Sequence, residues 1–452
     1  MKLTFYGAAG VVTGSNYLLE INGQKGPVKI LIDCGLHQGG YYVEKENFEP
    51  LPYNAREIKA VFVTHSHLDH IGRIPKLYKN GFRGEVYSTV PTKDFAKILL
   101  EDSERILLKA AARENQKPLY DLNDIEAVDR IWKTADYRKQ LDFGDFKVTF
   151  YDAGHILGSA FILIEAEGKK IVFSGDLGNS TPSLMKPTDK IPDADYCLME
   201  STYGDRLHHD DKSREDSLED VIEDTVKNGG TLMIPAFAME RTQELLSLLN
   251  DLVENKKIPE VPVYIDSPLA IKLTDVYRKY ESYLNLEYPA VASLHKDIFN
   301  FPDVHLTLTK EESKAINDVL PPKIIMAGSG MSNGGRILHH EIRYLPDPKS
   351  TILFVGYQAV GTLGRKILEG ASEVEIFGEK VLVKCKKEQI SGYSAHADQN
   401  DLLNWLKPAR EVLKKVFLVH GEEEVGKVLA QKIRDDLAID AIVPAIGESF
   451  EL

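Results

Sequence analysis

The chain has 452 residues, 43% hydrophobic and 27% charged, a length that suits about three domains at ~150 residues each and a buried core. Its net charge of −14 excludes broad adhesion to duplex nucleic acid, which needs an extended basic face, but allows a narrow slot that meets a few phosphates with metal ions and arginines. No apolar run approaches the ~18 residues of a membrane span, Met1–Gly7 reads as a strand rather than a signal peptide, and Cys34, Cys197 and Cys385 are too scattered for a disulfide framework, so a reduced, cytoplasmic setting is expected.

Short apolar runs bounded by turn residues open the chain. Leu3–Tyr6, Tyr17–Ile21 and Val28–Ile32 read as strands, with Asn22-Gly23 as a turn and Asp33 at the end of the third. The run Ala60–Val63 leads into Thr64-His65-Ser66-His67-Leu68-Asp69-His70-Ile71-Gly72. Side chains alternate along an extended backbone, so His65 and His67 point the same way, and a turn into helix redirects Asp69 and His70 toward a neighbouring point. That geometry suits two adjacent metal ions. A solvated His-rich turn is the weaker reading, because only 13 histidines occur in the chain and α/β proteins place chemistry where strands end in loops.

Helices are expected over Ile71–Lys79 and Asp94–Glu114. The strand Lys147–Tyr151 then leads to His155, Ile171–Phe173 to Asp176, and Tyr196–Met199 to Glu200. Each strand delivers one polar side chain to a shared edge. Near Asp205 the composition changes. His208 and His209 sit in a charged junction and read as exposed, and from there to about Gly370 apolar strands alternate with amphipathic helices, the pattern of a parallel sheet covered on both faces. The stretch 285–322 reads as a loop-rich excursion. Later, His396 follows Ser394-Ala395 and His420 ends Val416–Val419, in the grammar of the first half.

Collected, the strand-end residues are Asp33, His65, His67, Asp69, His70, His155, Asp176, Glu200, His396 and His420. Imidazole and carboxylate without cysteine suit zinc or a similar divalent ion. His155 completes a site with His65 and His67, His420 completes one with Asp69 and His70, and Asp176 is the natural bridge. This ordered set resembles the metallo-β-lactamase superfamily, and Glu200, His396 and His420 with an α/β insertion look like its β-CASP branch, nucleases related to the cleavage and polyadenylation factor endonuclease and to RNase J.

The resemblance implies an α/β fold: an αββα sandwich from residues 1–204 and 378–452, interrupted by a parallel-sheet cap at 205–377. It further implies two zinc ions (manganese is the other candidate) and hydrolysis of single-stranded RNA to 5′-phosphate and 3′-hydroxyl ends. In that branch a histidine at the position of His420 favours RNA over DNA. Asp69 is expected to orient the nucleophile as well as bind metal, His396 to act as general acid supported by Glu200, and Asp33 to fix the tautomer of a ligand. No segment precedes the first strand and the chain stops soon after His420, so the compact form of these nucleases is expected. No membrane partner is expected; a homodimer is left open.

In the cap, Ala327–Arg336 and Gly356–Arg365 are glycine-rich loops between strand and helix. Backbone amides there could cradle a phosphate, which makes Ser329, Gly330, Met331, Arg336 and Arg365 substrate-binding candidates; packing that needs glycine is the competing reading. Arg241 is a phosphate-contact candidate against a surface ion pair. Phe237 and Tyr357 are candidates for base stacking, with core packing favoured for each. The alternatives to a ribonuclease are a hydrolase of small thioesters or lactones and a non-catalytic subunit that binds RNA or a partner.

Overall fold

Period-two alternation in the strands builds the first half of the chain. The computed structural model describes residues 1–39, 41–113, 116–180, 184–208, 214–285, 297–390 and 394–452, which divide into two compact units. The first runs to Leu207, apart from Leu184, and resumes over Ala395–Leu452; the second is Leu184 with His208–Ser394. Among the described residues, no helix is long and apolar enough to cross a membrane.

The first unit contains two seven-stranded sheets. One orders Ser449–Glu451, Lys2–Phe5, Tyr17–Gly23, Gly26–Ile32, Ile58–Phe62, Glu85–Thr89 and Trp132–Ala135; the other orders Asp440–Ile442, Lys415–Val419, Tyr196–Glu200, Lys169–Phe173, Ala160–Ala166, Phe146–Asp152 and Gln140–Asp142. Along Ala160–Ala166, Ala160, Ile162 and Ile164 pack with Leu3, Phe5, Ile30, Ile32 and Phe62 of the facing sheet. The intervening Phe161 and Leu163 pack instead with Leu402, Leu406, Leu429 and Ile433 of the helices Gln399–Leu406 and Glu423–Leu437. On the outer face of the other sheet, Leu18, Leu31, Val61 and Val63 pack with Ile71, Ile74, Leu77 and Leu100. Helix, sheet, sheet and helix follow, because each sheet is apolar on both faces. Burial of each such side chain contributes about 1.5–3 kcal/mol.

The second unit is built on a six-stranded parallel sheet in the order Val304–Leu306, Val263–Ile265, Lys323–Ala327, Thr231–Pro235, Thr351–Val355 and Lys386–Ile390. Its three central strands are buried at every position, as a sheet covered on both faces requires.

Two details differ from the sequence reading. The sequence returned the chain to the first unit at residue 378, whereas the structure keeps it in the second through Ser394. The reason is the strand Lys386–Ile390, which pairs with Thr351–Val355 at the sheet edge. Its Lys386, Lys387, Glu388 and Gln389 suit an edge and leave no apolar run to read. The expected helix Ile71–Lys79 is two helices, Leu68–Ile71 and Ile74–Lys79. Pro75 has no N–H with which to continue the first, but is well placed at the start of the second. The excursion after residue 285 includes the strand Val304–Leu306 and the helix Lys310–Ala315; residues 286–296 lie outside the described residues, as does His209.

Candidate metal centre

The loop after Ile58–Phe62 is fixed by its own backbone. Thr64 donates from N–H and Oγ1–H to the two oxygens of Asp33, each at 2.8 Å. The carbonyls of Leu68, Asp69 and His70 accept from the N–H groups of Leu36, Ser15 and Cys34. Gly35 permits this approach, since a Cβ there would lie 1.6 Å from the Asp69 carbonyl oxygen. Gly35→Ala is therefore expected to cost ~3 kcal/mol or more, seen as a lower urea midpoint together with weaker metal binding. An unchanged midpoint would show that the loop yields.

The strand ends then bring their donors together. His65 Nε2 and His155 Nε2 lie 3.0 and 3.4 Å from His67 Nδ1, and 3.4 and 3.6 Å from Asp176 Oδ2. A tetrahedral zinc ion with bonds of ~2.0–2.1 Å sets its donors about 3.4 Å apart. In a second group, Asp69 Oδ2 lies 3.2 Å from His420 Nε2 and 3.9 Å from His70 Nε2, and Asp176 Oδ1 lies 3.4 Å from His70 Nε2. Asp176 thus offers one oxygen to each group.

Proton placement shows what these groups can hold. His70 Nδ1–H donates to Asp33 Oδ2 at 2.8 Å, which turns the Nε2 lone pair toward Asp176 Oδ1. That oxygen is buried and has no hydrogen-bond partner among the described residues. His65 Nδ1 faces Thr64 Oγ1 at 3.1 Å, and because that hydroxyl gives its proton to Asp33, it can only accept from His65. Acceptors facing one another in a buried site need a cation between them. The nitrogen and oxygen donors fit divalent metal ions.

The electrostatics agree. Burial pushes His65, His67 and His155 down, His67 to about 4, and the neutral imidazole is the form that binds metal. Burial also acts to lower His70, but Asp176, Asp33 and Asp69 outweigh it and bring its pKa to about 10. With Nδ1–H already on Asp33, the proton so retained is the one on Nε2, and a metal cation binding there would displace it and use the lone pair. Burial raises Asp176, against the pull of His420 and His70, and a bound cation would reverse that tendency.

Beside these donors, His396 Nδ1 lies 3.0 Å from Oε2 of the fully buried Glu200. Burial lowers the pKa of His396, but the Glu200 charge and hydrogen bond prevail and raise it to about 9, while burial of Glu200 is overcome by His396 so that the carboxyl is lowered. The His396 ring packs 4.6 Å from that of His155. The structure thus gathers Asp33, His65, His67, Asp69, His70, His155, Asp176, Glu200, His396 and His420 in one unit. His208 belongs to no metal-capable group among the described residues.

The candidates of the second unit are placed differently. Arg241 is buried and bonded to Glu244 Oε2 at 2.5 Å, with Glu240 at 3.6 Å, so its charge is met within the unit. Arg336 donates to Asp266 Oδ1 at 2.7 Å and to the carbonyls of Thr307 and Leu308. Arg365 pairs with Glu369 at the surface, an interaction that contributes little. The loops carrying Ser329, Gly330 and Met331 and carrying Arg365 are tied together: Gln358 Nε2 donates to the Gly330 carbonyl, and Gly364 N–H to that of Met331. Ser329 Oγ accepts from Asn333 N–H. A Cβ on Gly330 would lie 2.7 Å from the Phe237 ring. Phe237 and Tyr357 are 46% and 52% exposed, so core packing, favoured from the sequence, does not hold for either.

Sequence reasoning missed Thr64 and Asp266. Asp266 had the signal of the other acids, a carboxylate just after the strand Val263–Ile265. Fully buried, it accepts from His340 Nε2, Thr307 Oγ1, Ser313 Oγ and Arg336 Nη1, and although burial opposes them, these bonds hold its pKa far below the usual carboxylate range. Thr64 gave no signal, because its role depends on Asp33, which is distant in sequence.

Glu341, in the helix Ile337–Tyr344, accepts from Ser332 Oγ. Burial, opposed by that bond, pushes its pKa up from 4.5 to about 7. Between these values the folded chain holds a proton that the unfolded chain releases, so this carboxyl's contribution to stability falls as pH rises through the window. Glu341→Gln is expected to stabilise the protein by up to about 3 kcal/mol at about pH 8 and by much less at about pH 5. Melting temperatures at the two pH values read this; an equal shift at both would show that Glu341 does not titrate in the window.

Three family models match the chain in order. They are a metallo-beta-lactamase superfamily domain over residues 18–191, a Beta-Casp domain over 242–367, and a Zn-dependent metallo-hydrolase RNA specificity domain over 380–444. Ribonuclease TTHA0252 of Thermus thermophilus is 37% identical over 95% of this chain and 96% of its own length. An RNase J-like protein of Methanocaldococcus jannaschii is 35% identical over 95% of each. Transcription termination factor FttA of Methanosarcina mazei is 32% identical over 97% of this chain and 70% of its own. A crystal structure of a protein of unknown function from Enterococcus faecalis shares the fold, with a TM-score of 0.58 at 13% identity, covering 100% of this chain and 99% of that one.

Proposed function

The chain belongs to the metallo-β-lactamase superfamily, in its β-CASP branch, and from that membership we propose that it is a zinc-dependent ribonuclease that cleaves single-stranded RNA to leave 5′-phosphate and 3′-hydroxyl ends. The observation that carries this reading is the convergence of Asp176 and five histidines beside a histidine that a buried glutamate keeps protonated. Relatives named as ribonucleases over nearly their whole length support the substrate class.

In this reading His65, His67, His155 and Asp176 hold one zinc ion, and Asp69, His70, His420 and Asp176 hold the other. Bound there, the ions supply Lewis acidity, which activates water near neutral pH and draws charge from phosphoryl oxygens. The chain's own residues supply orientation and the proton. Asp69, whose side chain is 15% exposed, orients the attacking water. Glu200 holds His396 Nδ1, and Nε2–H protonates the leaving oxygen of the RNA. Asp33 keeps the proton of His70 on Nδ1 and, through Thr64, that of His65. Ser329, Gly330, Met331 and Arg365 contact the strand, with Phe237 and Tyr357 stacking on bases. Arg241 and Arg336 act by shaping their loops. Three buried free cysteines suit action in the cytoplasm.

The test is an RNA labelled at both ends, offered with and without chelator beside a panel of small thioesters and lactones. Chelator-sensitive fragments bearing 5′-phosphate are expected, and their pattern separates endonuclease from 5′-exonuclease action. Turnover of the small substrates far above that of RNA would overturn the assignment, and no turnover of anything would favour a binding subunit.

A further inference from the structure

We propose that Thr202 is a positioning residue that sets the proton of His420, and thereby the strength of one metal position and not the other. The inference rests on the metal-centre reading above. His420 ends the strand Lys415–Val419 in a left-handed backbone conformation, φ +48°, which a residue with a side chain adopts only when its surroundings hold it there. Three contacts of 3.0 Å or less do so. His420 N–H donates to the Ala8 carbonyl at 2.6 Å, Ser201 Oγ donates to the carbonyl of the preceding Val419 at 2.9 Å, and Thr202 Oγ1 donates to the carbonyl of His420 itself at 3.0 Å.

The third contact decides the chemistry of the ring. A threonine hydroxyl has one proton and two lone pairs. With its proton given to the His420 carbonyl or to the Glu200 carboxylate, both within its reach, Thr202 Oγ1 can only accept from His420 Nδ1, which lies 3.2 Å away. Nδ1 must then carry the ring proton, and the lone pair of Nε2 points at Asp69 Oδ2, 3.2 Å distant. Another acceptor near Nδ1, Asp176 Oδ1, is farther at 3.6 Å. One hydroxyl thus grips the main chain and the ring of the same histidine, so rotation of the imidazole breaks a contact that also holds its backbone. His70 has Asp33 for the same purpose. For His420 the part is played by a neutral side chain two residues beyond Glu200, so it adds no charge to the site.

Zinc titration of the metal-free protein against a chromogenic chelator tests this, with Thr202→Val and Thr202→Ser beside the wild type. In Thr202→Val, one of the two zinc ions should bind ~10–100-fold more weakly while the other keeps its affinity, and Thr202→Ser, which retains the hydroxyl, should return the wild-type value. Two unchanged affinities in Thr202→Val, or two that fall equally, would overturn the proposal. Should Thr202→Val fail to fold, the zinc-loaded wild type carries the test in long-range nitrogen–proton spectra of its histidines: a His420 ring protonated at Nδ1 is expected, and protonation at Nε2 overturns it. A wild type that binds fewer than two zinc ions would instead remove the metal-centre reading, a distinguishable failure.

Discussion

His396→Ala should lower turnover of RNA by ~10²–10⁴-fold while the protein keeps its metal. In the present geometry His396 belongs to Glu200 rather than to the donors around Asp176: its Nδ1 is 3.0 Å from Glu200 Oε2 and 4.0 Å from Asp176 Oδ2. Its side chain is 22% exposed, whereas Glu200 is fully buried. That is the arrangement of an acid whose working edge must reach substrate while its other edge is held. With a pKa of about 9 the ring is protonated at neutral pH and can give its proton to the leaving oxygen. Metal content measured beside the rate distinguishes this from damage to the donor groups. A variant that cleaves RNA at the wild-type rate would show that the proton comes from elsewhere, and one that loses its metal in proportion to its activity would make His396 a ligand.

A larger loss is expected for Asp176→Ala, because one side chain serves both groups. Its Oδ2 stands 3.4 and 3.6 Å from His65 and His155, and its Oδ1 stands 3.4 Å from His70. Without the carboxylate, the buried His65 and His155 are left facing His67 with no negative charge between them, and each cation loses an anionic donor. Metal affinity should fall by more than the ~10–100-fold typical of a supporting residue, at both positions, and RNA cleavage should fall with it. Elemental analysis after gel filtration reads the first, the end-labelled RNA the second. Wild-type metal content in the variant would show that Asp176 ligates neither ion.

Much of the site was legible in the sequence, for a physical reason. Strand ends fix direction, so a lone His, Asp or Glu after an apolar run is aimed at the sheet edge, and Asp33, His155, Asp176, Glu200 and His420 could be collected on that ground before any distance was known. A block of continuous apolar strands between helices likewise gave the parallel sheet, whereas the sandwich was implied by the family resemblance. What could not be read depends on partners remote in the chain. Thr64 acquires meaning only from Asp33, which takes its proton and leaves a lone pair facing His65, and Thr202 only from His420. Arg241, weighed against a surface ion pair, and Arg336 were candidates for phosphate contact until the structure set them on Glu244 and Asp266. Phe237 and Tyr357 erred the other way, since an aromatic beside an apolar strand reads as core and here lies on the surface. The strand Lys386–Ile390 was missed because an edge strand in water needs no apolar residues.

The central claim, that the donors around Asp176 form the metal centre of an RNA-cleaving enzyme, is tested most directly by reconstitution. Metal-free protein is titrated with zinc, and cleavage of an end-labelled single-stranded RNA is followed at each addition. Cleavage absent without metal, rising as two equivalents bind and then level, is the result this account predicts. Full cleavage by protein shown to contain no metal, or two tightly bound zinc ions with no cleavage at any addition, would contradict it.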